Sequence, residues 1–284
     1  MTRRDWIHQT IATGTLLVGA EARTSAAPLK GRIKQGVTRG VFRRPGNPMT
    51  FDEMCRICAD LGVVGFDLVG PKDFPVLKKY GLVPSMVPGG SGIKKGINDP
   101  AQHAEIEPRM REAIREAAAA KAPNVIVLSG DREGISDQQG LETSAAFMRK
   151  VMPQAEDAGV TMCIELLNSK VDHPGYMCDR TAWGVELCKA IGSPRFKLLY
   201  DIYHMQIMEG DIIRTIKENI QYIGHFHTAG NPGRNEFDET QELNYRPIIQ
   251  AIVDTGFSGF LSHEYGAKKD PVLSLKKSLE ICDV

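Results

Sequence analysis

From about residue 33 onward the chain alternates short apolar runs with longer amphipathic stretches. Eight runs, at 33–37, 63–68, 82–87, 125–128, 161–167, 196–200, 223–227 and 259–264, are short, apolar and bounded by turn residues, which predicts β-strands. The stretches between them carry helix start signals. Thr50 with Glu53, and Ser136 with Gln139, have capping-box spacing, in which the N-cap side chain and the third helical residue satisfy each other's backbone N–H groups. Asp99-Pro100 and Asp270-Pro271 each set an N-cap before a proline, whose missing N–H is harmless at the first helical position. Gly62, Gly81, Gly159 and Gly256 stand where helices must turn back into strands. Met54, Ile57, Cys58 and Leu61 recur at the spacing of one buried helix face, so the C-x-x-C of Cys55 and Cys58 reads as core packing rather than a redox pair. Eight strand-then-helix units in about 250 residues predict an α/β fold, a single-domain (β/α)8 TIM barrel. A doubly wound open sheet is the alternative, but no G-x-G-x-x-G turn follows the first strand.

Composition narrows the partners. The 284 residues hold 35 Lys and Arg against 35 Asp and Glu, with 42% hydrophobic and 25% charged residues. That is ordinary globular composition. With no basic excess, neither nucleic acid nor a membrane surface is expected as a partner. The N-terminus has a different character. Arg3-Arg4, Trp6, an uncharged run over 10–20 and the small residues Ser25-Ala26-Ala27 follow the order of n-region, h-region and cleavage site. The arginine pair before an aromatic residue resembles a twin-arginine signal. The expectation is a signal peptide over 1–27, the barrel over 28–284, and export to the periplasm, with the cytoplasm as the alternative. The apolar run is shorter than the ~18 residues that a membrane span requires.

In a (β/α)8 barrel the chemistry sits at the C-terminal ends of the strands. The fifth to eighth candidate strands each end in an apolar run followed by an ionisable residue: Glu165, Asp201, His227 and Glu264. They are separated by about one strand-plus-helix unit each, so three carboxylates and an imidazole should converge on one mouth. Unpaired carboxylates at that range repel one another, and a divalent cation would resolve the repulsion. Three oxygens and one nitrogen suit one Mg²⁺, Mn²⁺ or Co²⁺ rather than a thiolate-seeking ion.

Four sequence stretches carry a likeness to a known family: Glu165-Leu-Leu-Asn168 with Pro174-Gly175-Tyr176, Asp201-Ile-Tyr-His204-Met-Gln206, Ala229-Gly-Asn-Pro-Gly233-Arg234, and Glu242-Leu-Asn244-Tyr245. With these, the stretch from Ile33 to Val284 resembles the xylose-isomerase-like TIM-barrel superfamily of sugar isomerases and epimerases, and within it the hydroxypyruvate isomerase branch. The resemblance implies that the four rim residues bind a divalent metal, that Glu165 and Glu264 are also the acid/base groups, and that His204 and Arg234 contact substrate. It implies an isomerase that interconverts hydroxypyruvate and 2-hydroxy-3-oxopropanoate (tartronate semialdehyde) through an enediolate. His227 departs from the branch, which often has Gln there, and matches the ketose epimerases. A ketose 3-epimerase or other sugar isomerase is therefore the alternative on the same fold.

Other polar residues have blander expectations. His225 shares a strand face with His227 and reads as a supporting or substrate-facing residue. His263, next to Glu264, should point away from the mouth. Asp67 ends the second strand and reads as a rim residue or a helix cap. Asp172 and His173 lie in the loop after the fifth strand, where they could contact substrate. Two further function classes are weighed. A nuclease of the endonuclease IV type needs several more His and Glu ligands and a basic groove, against seven His and zero net charge here. A non-catalytic exported carbohydrate-binding barrel would not need all four rim residues intact. The expected partner is a small 2-oxo acid or ketose; a homo-oligomer is compatible with the sequence.

Overall fold

The computed structural model describes residues 29–43 and 48–284; the expected signal peptide lies outside the described residues. Eight strands form one closed barrel in sequence order. They are β1 (Lys34–Val37), β2 (Gly65–Asp67), β3 (Val83–Pro88), β4 (Asn124–Val127), β5 (Thr161–Glu165), β6 (Phe196–Asp201), β7 (Ile223–Thr228) and β8 (Phe260–His263). All neighbours pair in parallel, and β1 closes the ring by pairing with β8 as well as β2. The single-domain (β/α)8 barrel expected from the alternation is what the chain forms. Residues 166–167 lie past the end of β5. There Leu166 and Leu167 are buried in the outer core, so the apolar run outlasts the strand.

The outer layer holds α1 (Phe51–Asp60), α2 (Phe74–Lys79), α3 (His103–Ala120), α4 (Asp137–Asp157), α5 (Thr181–Ile191), α6 (Ile202–Met208), α7 (Ile212–Asn219), α8 (Tyr245–Asp254) and α9 (Pro271–Cys282). Thr50 and Glu53 complete the expected capping box on α1, whereas Ser136 caps α4 through Gln139 N alone. Asp270 caps α9 ahead of its first-turn proline, but Asp99 caps only a short 3-10 turn before α3. The sixth unit is split into α6 and α7. Gly210 and Asp211, both at positive φ, turn the chain between them.

Side-chain alternation along the strands sorts two cores. Outward residues such as Val37, Phe66, Val125, Ile164, Leu198, Phe226 and Leu261 pack under the helices in one continuous apolar layer. Inside the barrel, Met86, Ile126, Cys163 and Leu199 from β3 to β6 form a separate small cluster. Most other interior side chains are polar, with Asp67, Ser85, Asn124, His225, His227 and Ser262 all buried, and Phe260 stacks on His225 beneath them. A buried polar interior requires each group to find a partner, and that requirement shapes the site.

Candidate active site

The ends of β5, β6, β7 and β8 bring Glu165, Asp201, His227 and Glu264 together. One potential ligand atom from each lies within 4.8 Å of the others, so the four could hold a metal ion. Asp201, the last residue of β6, is also the N-cap of α6: its Oδ1 accepts from Tyr203 N at 2.8 Å and His204 N at 3.2 Å. That bond holds the carboxylate with Oδ2 free to face the mouth. His227 presents Nδ1 at 2.9 Å from Glu264 Oε2 and 3.3 Å from Glu165 Oε1. On the far side of the ring, its Nε2 is 3.0 Å from Asp67 Oδ2.

The two expected substrate contacts border this cluster. Arg234 reaches in from the loop after β7 and donates to Glu264 Oε2 at 2.8 Å, with Asp201 Oδ2 at 3.6 Å. Its backbone is left-handed, at φ 54. An arginine gains nothing intrinsic from that conformation; the turn aims its guanidinium back over the mouth. His204 is fully buried, with Nε2 3.6 Å from Asp201 Oδ2. Asn168 sets its tautomer. The Asn168 Oδ1 accepts from Val171 N and Asp172 N, so its amide nitrogen faces His204 Nδ1 at 2.6 Å and donates to it. His204 Nε2 therefore carries the proton. Burial, reinforced by the Arg234 charge, holds the His204 pKa well below its usual value, so the ring is neutral.

Electrostatics across the four rim residues are tense. Burial pushes the Asp201 carboxyl up to about 7, against the pull of Arg234 and His227. Burial would also raise Glu264, but His227 and Arg234 outweigh it and bring that carboxyl down to about 2. Burial opposes charge on His227, yet Glu264, Asp67 and Glu165 together hold its pKa well above the usual value. Two buried atoms of the cluster, Asp201 Oδ2 and His227 Nδ1, have no hydrogen-bond partner. Orphaned buried groups are rare and call for an explanation. A carboxylate oxygen and an imidazole nitrogen facing two further carboxylates are the donor set of a divalent cation site, and the residues fit one.

A second potential ligand group, Asp67, His225 and His227, shares the same imidazole. It is internally satisfied: Asp67 Oδ2 bonds both His225 Nε2, at 2.6 Å, and His227 Nε2. Asp67 is thus no helix cap; Asp73 stands at the N-cap of α2. His225 supports Asp67 from below. His263 points out of the barrel, bonded to Thr228 Oγ1 at 2.9 Å and Gln35 Oε1 at 3.1 Å, and burial brings its pKa down to about 3. The ring of His173 lies 5.4 Å from that of His204, and Asp172 accepts from Tyr203 Oη at 2.9 Å, so the loop after β5 borders the mouth.

Several motif residues turn out to brace the site. Tyr176 Oη donates to the Glu165 carbonyl at 3.0 Å, and Tyr245 Oη donates to the Ala229 carbonyl at 2.6 Å. Sequence reasoning missed the Asn168 bond to His204 and the pairing of Asp67 with both histidines. It also missed Arg39. This residue lines, with Thr38, Arg43, Arg234 and Glu264, a cavity of about 370 Å³ beside the cluster. No periodic signal could have linked residues so far apart in the chain.

Fold and site together define a (β/α)8 barrel with a metal-competent carboxylate–imidazole centre at its C-terminal mouth. A family model described as xylose isomerase-like TIM barrel matches residues 75–283, and the chain belongs to that family. Among curated relatives, a 2-oxo-tetronate isomerase of Cupriavidus necator is 43% identical over 108 residues, covering 38% of this chain and 40% of that protein. The hydroxypyruvate isomerase of Escherichia coli is 30% identical over 167 residues, covering 58% and 64%. These matches thus span less than two thirds of each relative's length. Among solved structures, a protein named AP endonuclease, family 2, from Brucella melitensis superposes with a TM-score of 0.78 at 25% identity, covering 86% of this chain and 96% of that one.

Proposed function

We propose that this protein is a metal-dependent isomerase of small 2-oxo acids, with hydroxypyruvate and 2-hydroxy-3-oxopropanoate as the interconverted pair. The observation that carries the reading is the placement of four metal-competent groups beside a cavity lined by Arg39, Arg43 and Arg234. Arg43 and Arg234, the latter shared with Glu264 at 2.8 Å, suit an anionic substrate, while Arg39 is turned to Asp73 at 2.7 Å; the cavity volume is at the small end of ligand sites. Glu165, Asp201, His227 and Glu264 would hold one divalent ion, Mg²⁺, Mn²⁺ or Co²⁺. When bound, such an ion supplies Lewis-acid stabilisation to the charge that develops on adjacent substrate oxygens.

The chain's own groups account for the proton movements. One of the two glutamates takes a proton from C3 of hydroxypyruvate, leaving an enediolate. The hydroxyl proton passes from O3 to O2, and a glutamate returns the carbon-bound proton at C2, so atoms and charge balance. Glu165 and Glu264 both reach the reacting centre. Neutral His204 can donate through Nε2 to a substrate oxygen. Arg234 can hold a carboxylate with two parallel N–H bonds.

A ketose 3-epimerase is the second reading, favoured by His227 at a position where the hydroxypyruvate isomerase branch often has Gln. The test is NMR in D₂O with Mn²⁺- or Mg²⁺-loaded protein against hydroxypyruvate, 2-oxo-tetronate and D-fructose. Solvent deuterium at C2 of 2-hydroxy-3-oxopropanoate supports the first reading. Exchange at C3 of the ketose alone moves the assignment to the second, and no exchange with any of the three favours the non-catalytic barrel.

We further propose that residues 1–27 direct twin-arginine export of the folded barrel, which would let the metal be loaded before transport. The first barrel strand begins at Lys34, so a chain starting at Pro28 should fold and turn over normally. Replacing Arg3 and Arg4 by Lys should hold the precursor inside the cell. Export of that variant at the normal rate, read by fractionation and N-terminal sequencing, counts against the signal.

A further inference from the structure

Asp67 is a fully buried carboxylate at the end of β2, outside the four-residue rim cluster. Its surroundings are built around it. Ser85 Oγ donates to Oδ1. The Nε2 atoms of His225 and His227 approach Oδ2 at 2.6 and 3.0 Å. The proton positions follow from the neighbours. Asn124 Nδ2 donates to the Ser85 carbonyl at 3.0 Å, which fixes the orientation of that amide. The same Nδ2 faces His225 Nδ1 at 3.4 Å, so His225 Nδ1 accepts and its Nε2 carries the proton given to Asp67. Asp67, with one hydroxyl and two imidazole N–H groups pointing at it, is an acceptor at every contact. For His227 this means that Nε2 holds the proton. With Nε2 committed to Asp67, Nδ1 is the nitrogen that faces Glu165 and Glu264, at 3.3 and 2.9 Å, and the one that would offer its lone pair to a bound cation.

The backbone supports the same placement. The β2–β3 register shifts between Phe66 and Asp67, so that Ser85 is the extra residue on β3. The β6–β7 register shifts just before His225, with Gly224 as the extra residue on β7. Bulges of this kind re-aim the side chains beside them. At Gly224 a Cβ would lie 2.9 Å from Lys197 and 3.1 Å from Cys163 Sγ, so the second bulge depends on glycine.

We propose that Asp67 is a positioning residue for the cation site: it locks His227 in the Nε2–H tautomer, so that Nδ1 is the metal-facing atom. Ser85 and His225 hold Asp67, and Asn124 holds His225. The inference rests on the reading of Glu165, Asp201, His227 and Glu264 as cation ligands. Outer partners that orient a ligating histidine are typically worth about 10–100-fold in metal affinity.

Two measurements test it, and neither requires turnover. The first is Mn²⁺ affinity, read by EPR of free Mn²⁺, in wild type, Asp67→Asn, His227→Gln and the double variant. The amide introduced by Asp67→Asn can donate a proton toward Nε2 and so push the ring to the other tautomer. Asp67→Asn should weaken Mn²⁺ roughly 10–100-fold, and should add almost nothing once His227 is replaced by glutamine. Equal weakening in both backgrounds would mean a general structural role and overturn the proposal, as would unchanged affinity in Asp67→Asn. The second is long-range ¹H–¹⁵N NMR of histidine-labelled wild-type protein with Mg²⁺. It should show His227 protonated at Nε2 and not at Nδ1; a proton on Nδ1 overturns the proposal even if Asp67→Asn does not fold. Wild-type protein that takes up no Mn²⁺ would overturn the ligand reading itself, a result distinct from normal wild-type binding with an indifferent Asp67→Asn.

Discussion

Two polar clusters meet back to back at His227. The deeper one, Asp67 with Ser85, His225 and Asn124, has its acceptors and donors matched within hydrogen-bond distance. The upper one, Glu165, Asp201, His227 and Glu264, leaves Asp201 Oδ2 and His227 Nδ1 without partners. Both are buried and both are rich in ionisable groups, so burial and charge alone do not separate them. Satisfaction does. A matched buried network rigidifies the barrel, whereas an unmatched one retains its capacity to bind something else. The same imidazole serves both, with one nitrogen committed downward and the other held in reserve.

That contrast predicts different consequences for substitutions a few ångströms apart. The largest effect should come from Asp201→Asn combined with His227→Ala. Metal binding and turnover should vanish together, and the metal-free protein should lose about 1–3 kcal/mol as well, because His227→Ala takes an N–H donor from buried Asp67. Calorimetry and metal analysis check both halves; full metal occupancy in this variant would sink the ligand assignment. Next, Glu264→Gln keeps an oxygen for the cation but cannot accept a proton. Turnover should fall by about 10²–10⁴-fold, the usual worth of general acid–base catalysis, with some Mn²⁺ retained. Near-normal exchange of the substrate carbon-bound proton in D₂O would remove Glu264 from that role.

Substitutions in the deeper cluster should act on stability first. His225→Phe takes one donor from Asp67 and one of the Asn124 amide's two acceptors, and should cost about 1–3 kcal/mol in urea denaturation, the penalty for leaving buried groups unpaired. A variant as stable as wild type would show that the lower network is not a structural unit. The smallest effect belongs to Ser85→Ala. The hydroxyl donor to Asp67 Oδ1 is lost while both histidines still hold Oδ2, so stability should fall by about 1 kcal/mol, the low end of the range for an unpaired buried acceptor, with Mn²⁺ affinity little changed.

Much of this molecule was legible from its order of residues. The alternation of apolar runs with capped amphipathic helices located every strand to within a few residues, and helix stops at Gly62, Gly81, Gly159 and Gly256 all adopt the positive φ expected of them. Placing Glu165, Asp201, His227 and Glu264 on one mouth needed only a strand-end position and the rule that barrel strands share one polarity. Local signals sufficed because secondary structure and a closed parallel barrel are set by short-range periodicity and a repeated unit.

The roles of Asp67, Asn168 and Arg39 came from elsewhere. Asp67 meets His225 and His227 across the barrel interior, at a sequence separation of 158 and 160 residues. Two register shifts that no hydrophobic pattern announces put Ser85 and His225 within its reach. Which nitrogen of an imidazole carries the proton is likewise decided by the group opposite it, as Asn168 decides for His204. The sequence by itself determined which ionisable residues stand at the strand ends, because the repeat places them there. Only the closed barrel decided which of their atoms are already bonded and which are left facing one another. Hydrogen-bond satisfaction is a property of three-dimensional neighbours, whereas periodicity reports only neighbours along the chain.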